Sequence, residues 1–104
     1  MLITNILFAS ITHYCACTTI CCPKESRGLT ASMVYPIEGL TIAGPRRFPF
    51  GSVVILSDGR KFIIQDRLAK HFDNRFDIFV HSHKRARKLG IMKAEKVIVI
   101  TKKN

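Results

Sequence analysis

Short runs of Val, Ile, Phe and Thr, each bounded by Gly, Pro, Asp or Lys, constrain the fold of this chain more than any other feature. β-Branched and aromatic residues favour strands, and the bounding residues favour turns, so five runs are predicted to be β-strands. They are a first strand of about Asn5–Tyr14, then Ser52–Asp58, Lys61–Asp66, Phe76–Val80 and Lys96–Thr101. An Asp-Gly pair at positions 58 and 59 predicts a hairpin between the second and third runs.

A helix is predicted only for the segment SHKRARKLG, residues 82–90. Ser82 can cap its start, Ala86 and Leu89 give it an inward face, and Gly90 ends it. One short helix among several short strands predicts a mainly β fold, a closed or nearly closed β-barrel. At 104 residues the chain has the length of a single domain, with room for one core and one site.

The middle of the chain, RGLTASMVYPIEGLTIAGPRRFPFGS, is rich in Gly and Pro. Such residues break up long elements, so this stretch predicts wide loops that join short strands. Loops on a rigid barrel are the usual place for a functional site.

The charge of the chain is strongly positive, since 17 Lys and Arg against seven Asp and Glu give a net charge of +10. This field attracts polyanions such as nucleic acid, anionic lipid and acidic cell-wall polymers. The sequence has none of the usual nucleic-acid recognition modules, so no specific nucleic-acid partner is expected. It also has no apolar stretch of the roughly 20 residues that span a bilayer, and residues 1–10 suit either a first strand or a weak signal-like segment.

Three of the four aspartates, Asp66, Asp73 and Asp77, lie in the short basic segment from Gln65 to Gly90. Taken alone, Asp66 suits a strand end, Asp73 suits a turn, and Asp77 suits an ion pair with Arg75 or Arg67. The alternative is that the acids are gathered because they form a site.

A series of motifs supports the second interpretation. The strings GLTASMVYPIEGLTIAGPRRFPFGSVVIL, IIQDR and NRFDIFVHSHKRARKLG resemble the 3D domain, which is named for its three aspartates. The resemblance covers about Ile11 to Ile100, and it implies a six-stranded double-psi β-barrel. That family is related to MltA-type lytic transglycosylases and to stationary-phase survival and resuscitation-factor wall enzymes.

The resemblance implies that Asp77 is the catalytic acid/base and Asp66 its companion. A lytic transglycosylase cleaves the bond between N-acetylmuramic acid and N-acetylglucosamine in peptidoglycan. One carboxylic acid suffices, because the C6 hydroxyl of the sugar attacks in place of water. That acid must keep its proton near neutral pH, so its pKa must lie about three units above the usual value of roughly 3.9.

Hydroxyl groups in the loops would suit sugar hydroxyl and acetamido groups. The resemblance implies that the residues expected to bind substrate are Thr30, Ser32, Tyr35, Thr41 and Arg67, the first four of which match loops that line the family's groove. Each hydroxyl suits a hydrogen bond to its own loop backbone equally well. His83 is expected to pack or cap at the start of the helix, His71 and His81 to lie on the surface, and His13 to line the first strand.

Four cysteines, Cys15, Cys17, Cys21 and Cys22, lie within eight residues. Two disulfides, a four-thiolate metal site and reduced thiols are all open. Wall-acting proteins work in oxidising surroundings, which favours disulfides. No cofactor is expected.

The sequence therefore predicts an extracytoplasmic protein, secreted, periplasmic or attached to the wall, that cleaves peptidoglycan glycan strands. The alternative is a non-catalytic barrel that binds wall glycan or serves as a structural component of a virion or envelope. Gly44 favours this alternative, since it lies in TIAGP, where the family places the first of its three aspartates.

Overall fold

The computed structural model describes residues 1–15, 29–68 and 74–102. In this part of the chain six strands and one helix follow one another in the order β1 (Leu2–Tyr14), β2 (Thr41–Gly44), β3 (Val53–Leu56), β4 (Lys61–Arg67), β5 (Arg75–Phe79), α1 (His83–Leu89) and β6 (Met92–Lys102). The predicted mainly β fold, a small six-stranded barrel with one short helix, is confirmed. His71, Asp73, Cys17, Cys21 and Cys22 lie outside the described residues.

The strands form a closed barrel in the order β1-β5-β2-β4-β3-β6, in which β6 returns to pair with β1. Two of the pairs, β1 with β5 and β2 with β4, are parallel. The hairpin predicted at Asp58 and Gly59 joins β3 to β4, and Gly59 adopts a φ of 91° that favours glycine. β2 lies between β4 and β5, so Asp66 of β4 and Asp77 of β5 occupy strands that do not pair with each other directly.

The strand β2 is not among the five predicted runs, and the prediction for this region, wide loops that join short strands, assigned no strand to Thr41–Gly44. All four of its residues are buried, since β4 and β5 cover its two edges. Its pattern is too short to show a period, and the Gly44-Pro45 pair indicates a turn. Long-range pairing, and not local preference, makes this segment a strand.

The core fills the interior of the barrel with aliphatic and aromatic side chains from every strand. It consists of Ala9, Ile11, Ile42, Phe48, Val54, Leu56, Phe62, Ile64, Phe76, Ile78, Val97 and Val99. Alternate residues of a strand face opposite sides of a sheet, so Asp77, between Phe76 and Ile78, faces the outside of the barrel.

The helix α1 begins and ends where the sequence predicts. The Ser82 hydroxyl accepts a hydrogen bond from the Arg85 backbone N–H, and Gly90 follows the last turn with a φ of 64°. Ala86 is buried as expected, but the expectation that Leu89 faces inward is wrong, because its side chain is 48% exposed. Leu89 lines a cavity beside Phe62 and Met92 instead of filling the core. Within the described ranges no helix has the length and apolar character to cross a bilayer.

Candidate active site

Four residues form a row across four strands on the outer face of the barrel. Thr12 pairs with Asp77 between β1 and β5, and Asp77 pairs with Ala43 between β5 and β2. On its other side Ala43 pairs with Asp66 of β4. The structure therefore brings the two aspartates to either side of one alanine, and side chains opposite one another on paired strands are close enough to interact.

Asp77 is the perturbed acid of this row. Its Oδ1 accepts a hydrogen bond of 2.8 Å from the Thr12 hydroxyl. The pKa of Asp77 is raised to about 6, mainly by burial and to a smaller extent by the Asp66 charge, against the opposing effects of the Thr12 hydrogen bond and the Arg75 charge. Salt bridges among the described residues join Arg60 to Asp58 and Arg85 to Glu38, and the charge of Arg75 acts on Asp77 by lowering its pKa.

Asp66 is held by three donors. Its Oδ1 accepts hydrogen bonds from the backbone N–H groups of Ala31 and Arg67, both at 2.9 Å. Its Oδ2 accepts a hydrogen bond of 3.0 Å from the Tyr14 hydroxyl. Three donors around one carboxylate fix its position.

Tyr14 contacts Asp66 through its hydroxyl and the apolar ring of Phe79 through its own ring. Burial, followed by the charge of Asp66, raises the pKa of Tyr14, so its hydroxyl remains a donor. Its ring makes an edge contact with the buried ring of Phe79, at 5.6 Å between centroids. Phe79 is two residues beyond Asp77 on β5 and so lies on the same face, where it helps to exclude water.

The sequence did not indicate that Thr12, Tyr14 or the Ala31 N–H belongs to the site. Thr12 and Tyr14 lie in a strand that carries no charged residue and no recognisable motif. Only the parallel pairing of β1 with β5 reveals them, and no local pattern in the sequence predicts that pairing.

The hydroxyl residues expected to bind substrate have different environments. Thr41 is fully buried; it donates to Gln65 Oε1 at 2.7 Å and accepts from the Ile37 N–H at 2.8 Å. Thr30 is also buried, and its hydroxyl lies 3.1 Å from that of Ser32. Tyr35, by contrast, is 76% exposed. Thr41 and Thr30 thus hold the loop in front of β4, whereas Ser32 and Tyr35 are more accessible.

Arg67 follows Asp66 but is turned toward the loop of residues 45–50. Its Nη1 donates to the carbonyl oxygens of Pro45 and Phe48 at 2.9 and 2.7 Å. Its guanidinium lies 4.1 Å from the centroid of the Phe50 ring. These contacts anchor the loop that follows β2, directly beside the row of acids.

Gly44 ends β2 in a tightly packed position. A Cβ atom at this residue would lie 2.8 Å from Cδ1 of Ile64, a core side chain. A carboxylate at position 44 would therefore have to displace part of the core. The space beside Gly44 is filled by Ile64, consistent with the absence of an acid there.

Two of the histidines support the segments near the helix. His13 donates through Nδ1 to the Gly90 carbonyl oxygen at 3.2 Å, and burial lowers its pKa. His83 Nδ1 lies 3.3 Å from Sγ of the buried Cys15, which agrees with a packing role. His81 is exposed, as expected. Since Cys15 alone of the four cysteines is described, the disulfide and metal alternatives for the cluster fall outside the described residues.

The row can supply one weakly acidic carboxyl group, Asp77, next to one fixed carboxylate, Asp66. This arrangement suits proton donation and return at a single position. In comparisons with known proteins, no family model matches the chain and no curated protein matches it.

Proposed function

We propose that this protein is a peptidoglycan lytic transglycosylase of the 3D-domain type, with a double-psi barrel, and that Asp77 is its acid/base. One observation carries the proposal: a partly buried Asp77, with a pKa raised to about 6, lies in the same row as a second aspartate. Groups with perturbed pKa values cluster at catalytic sites. The motif resemblance described above supplies the substrate class.

In the proposed reaction, protonated Asp77 donates its proton to the glycosidic oxygen between N-acetylmuramic acid and N-acetylglucosamine. The bond from that oxygen to C1 breaks through an oxocarbenium-like transition state. The C6 hydroxyl of the muramic acid then attacks C1, and the Asp77 carboxylate takes the hydroxyl proton. The products are a 1,6-anhydromuramyl end and a free hydroxyl on N-acetylglucosamine, and no water is consumed.

Asp66 would act as a fixed negative charge in this scheme. Its charge favours the protonated form of Asp77, which is the form needed in the first step. It would also stabilise the positive charge that develops on the sugar. Because Tyr14 and two backbone N–H groups hold it, Asp66 needs no rearrangement during the reaction.

The experiment is digestion of purified sacculi with the wild-type protein, followed by mass spectrometry of the released fragments. The proposal requires anhydromuramyl products, lighter by one water than those of a hydrolase. It also requires that Asp77→Asn abolish their release, while Asp58→Asn, which changes an exposed aspartate paired with Arg60, retains it. Equal release by Asp77→Asn would overturn the assignment of the acid.

A second candidate is a non-catalytic barrel that binds wall glycan or forms part of a virion or envelope. The packing at Gly44 favours it, because Ile64 occupies the space that an additional acid would need. Binding of the wild-type protein to sacculi without release of any fragment would support this candidate over the enzyme. Both candidates place the protein outside the cytoplasm, where oxidising conditions would favour disulfides among its cysteines.

A further inference from the structure

The barrel has a second apolar face, on its outside. The strands β3 and β6 carry the runs VVIL and VIVI, whose alternate residues Val54, Val97 and Val99 belong to the core. Their neighbours in sequence therefore face outward. Uninterrupted apolar runs are typical of strands that are buried on both faces.

The strand register joins these outward residues into one patch. Ile98 pairs with Ile6 of β1 on one side and with Ile55 of β3 on the other, and Ile100 pairs with Val53. Phe8 lies next to Ile6 along the same face of β1. We call this patch the outer wall; it consists of Ile6, Phe8, Val53, Ile55, Ile98 and Ile100.

The outer wall is open where β1 contributes to it. Ile6 is 61% exposed and Phe8 is 66% exposed, so no described residue packs over them. Leu2, on the same face of β1, is 68% exposed. A contiguous apolar surface of this kind marks a place of contact with another apolar phase.

Lysines border the outer wall. Lys96 pairs with Phe8 and Lys102 pairs with Leu2 across β1 and β6, and Lys61 pairs with Ile55 across β4 and β3. The strands β1, β3 and β6 contain one acid, Glu95, which pairs with the core residue Ala9 and accepts a hydrogen bond from Ser57. Within these three described strands, an apolar centre with a cationic border is thus present without a negative charge on the same face.

We propose that the outer wall docks on an anionic lipid bilayer. Its apolar side chains would enter the boundary between headgroups and acyl chains, and the flexible stems of the bordering lysines would let their ammonium groups reach lipid phosphates. A second copy of this chain fits the outer wall less well than an anionic bilayer does. Its lysines would face the lysines of the first copy, and two molecules that each carry a net charge of +10 would repel one another. The proposal does not depend on the proposed enzymatic function.

Vesicles test the apolar part of this proposal. The wild-type protein should co-sediment with phosphatidylglycerol vesicles and not with phosphatidylcholine vesicles. The double variant Ile6→Gln/Phe8→Gln should bind phosphatidylglycerol about tenfold more weakly or worse, because it removes apolar area from the contact. The matched control is Ile37→Gln/Ile91→Gln, which changes two isoleucines that are 54% and 55% exposed and do not belong to the outer wall patch of the barrel. This control should bind the vesicles like the wild type.

A second pair of variants tests the border. Lys96→Gln/Lys102→Gln should weaken binding more than Lys84→Gln/Lys88→Gln, which removes the same charge from α1. Equal loss in both pairs, or full binding by the Ile6 and Phe8 variant, would mean that net charge alone attracts the vesicles and would overturn the proposal. Sedimentation equilibrium without lipid measures whether the protein associates with itself. If it does, and if the Ile6 and Phe8 substitutions abolish that association, the occupant of the outer wall is a second copy of the chain. This result would also overturn the proposal of a lipid bilayer.

Discussion

The hydroxyl of Thr12 lies 2.8 Å from Oδ1 of Asp77, although 65 positions separate the two residues in sequence. The same hydroxyl lies 3.5 Å from the carbonyl oxygen of Phe76, within reach of a weak contact. Thr12 can therefore donate to charged Asp77 and remain beside it once the acid is protonated. The proton equilibrium of Asp77 depends on this neighbour.

Replacing Thr12 by Val should move the activity profile to higher pH. The hydrogen bond from Thr12 favours the charged form and lowers the pKa of Asp77, so its removal should raise that pKa above about 6. Since the proposed reaction needs protonated Asp77, the fall in product release with rising pH should occur at a higher pH than in the wild type. Rates of product release from sacculi between pH 4 and 9 measure the shift of the pH profile, and Thr4→Val, which changes an exposed threonine, is the control. If the profile of Thr12→Val is the same as that of the wild type, Asp77 is not the acid.

Asp77→Asn should stabilise the fold, and more so at neutral than at acid pH. The folded-state pKa of about 6 exceeds the ordinary value of 3.8, so the folded state binds the proton more tightly than the unfolded state. The resulting stability is fully present below about pH 4 and is lost as the pH rises through about 6, a change of about 3 kcal/mol by linkage. Urea denaturation of the wild type and of Asp77→Asn at pH 4 and pH 7.5 measures the two free energies of unfolding. If their difference is the same at both pH values, the pKa of Asp77 is not raised in the folded protein.

Tyr14→Phe should reduce the free energy of unfolding by about 1.5–3 kcal/mol, the usual value of a hydrogen bond to a charged group. The variant keeps the ring contact with Phe79 and removes only the donor to Asp66. Tyr35→Phe is the matched control, because that hydroxyl belongs to a residue that is 76% exposed. Equal unfolding midpoints for the two variants would show that the bond to Asp66 contributes nothing.

Thr41→Val should destabilise the protein by about 1–3 kcal/mol, since it leaves the Ile37 N–H and the Gln65 side-chain oxygen without their buried partner. Chemical denaturation compared with the exposed Thr4→Val measures the effect. A variant as stable as wild type that fails to bind glycan would instead assign Thr41 to substrate binding.

Gly44→Ala should cost about 1–3 kcal/mol of stability through overpacking. Its Cβ would meet Cδ1 of Ile64 at 2.8 Å, so the cost should shrink in an Ile64→Val background, which removes that atom. A double-mutant cycle by urea denaturation measures the coupling. If Gly44→Ala costs the same in both backgrounds, crowding by Ile64 is not the reason for a glycine at this position.

Local signals in the sequence predicted the elements that depend on local chemistry. The Ser82 cap, the Gly90 stop and the turn at Gly59 all appear in the structure, because each is decided within a few residues. The strand β2 could not be predicted, because its two neighbours in the barrel come from distant parts of the chain. The prediction that Leu89 faces inward is wrong for a related reason, since the surroundings of the last turn of a short helix depend on distant strands.

In the candidate site, too, some features follow from local sequence and others from long-range strand pairing. Asp66 and Asp77 were singled out through their motifs, and the structure brings both to Ala43. Their relation across an intervening strand, and the parts played by Thr12 and Tyr14, follow from the long-range pairing of β1, β5, β2 and β4. No periodicity in β1 distinguishes these two residues from their neighbours.

The row Thr12–Asp77–Ala43–Asp66 draws its members from four separate stretches of sequence, and the pairing of β1, β5, β2 and β4 places them side by side. The weak acidity of Asp77 is therefore a product of folding: an incomplete or cleaved chain carries an ordinary, fully ionised aspartate. On the proposed mechanism, a nascent copy is harmless to glycan until β5 has docked between β1 and β2.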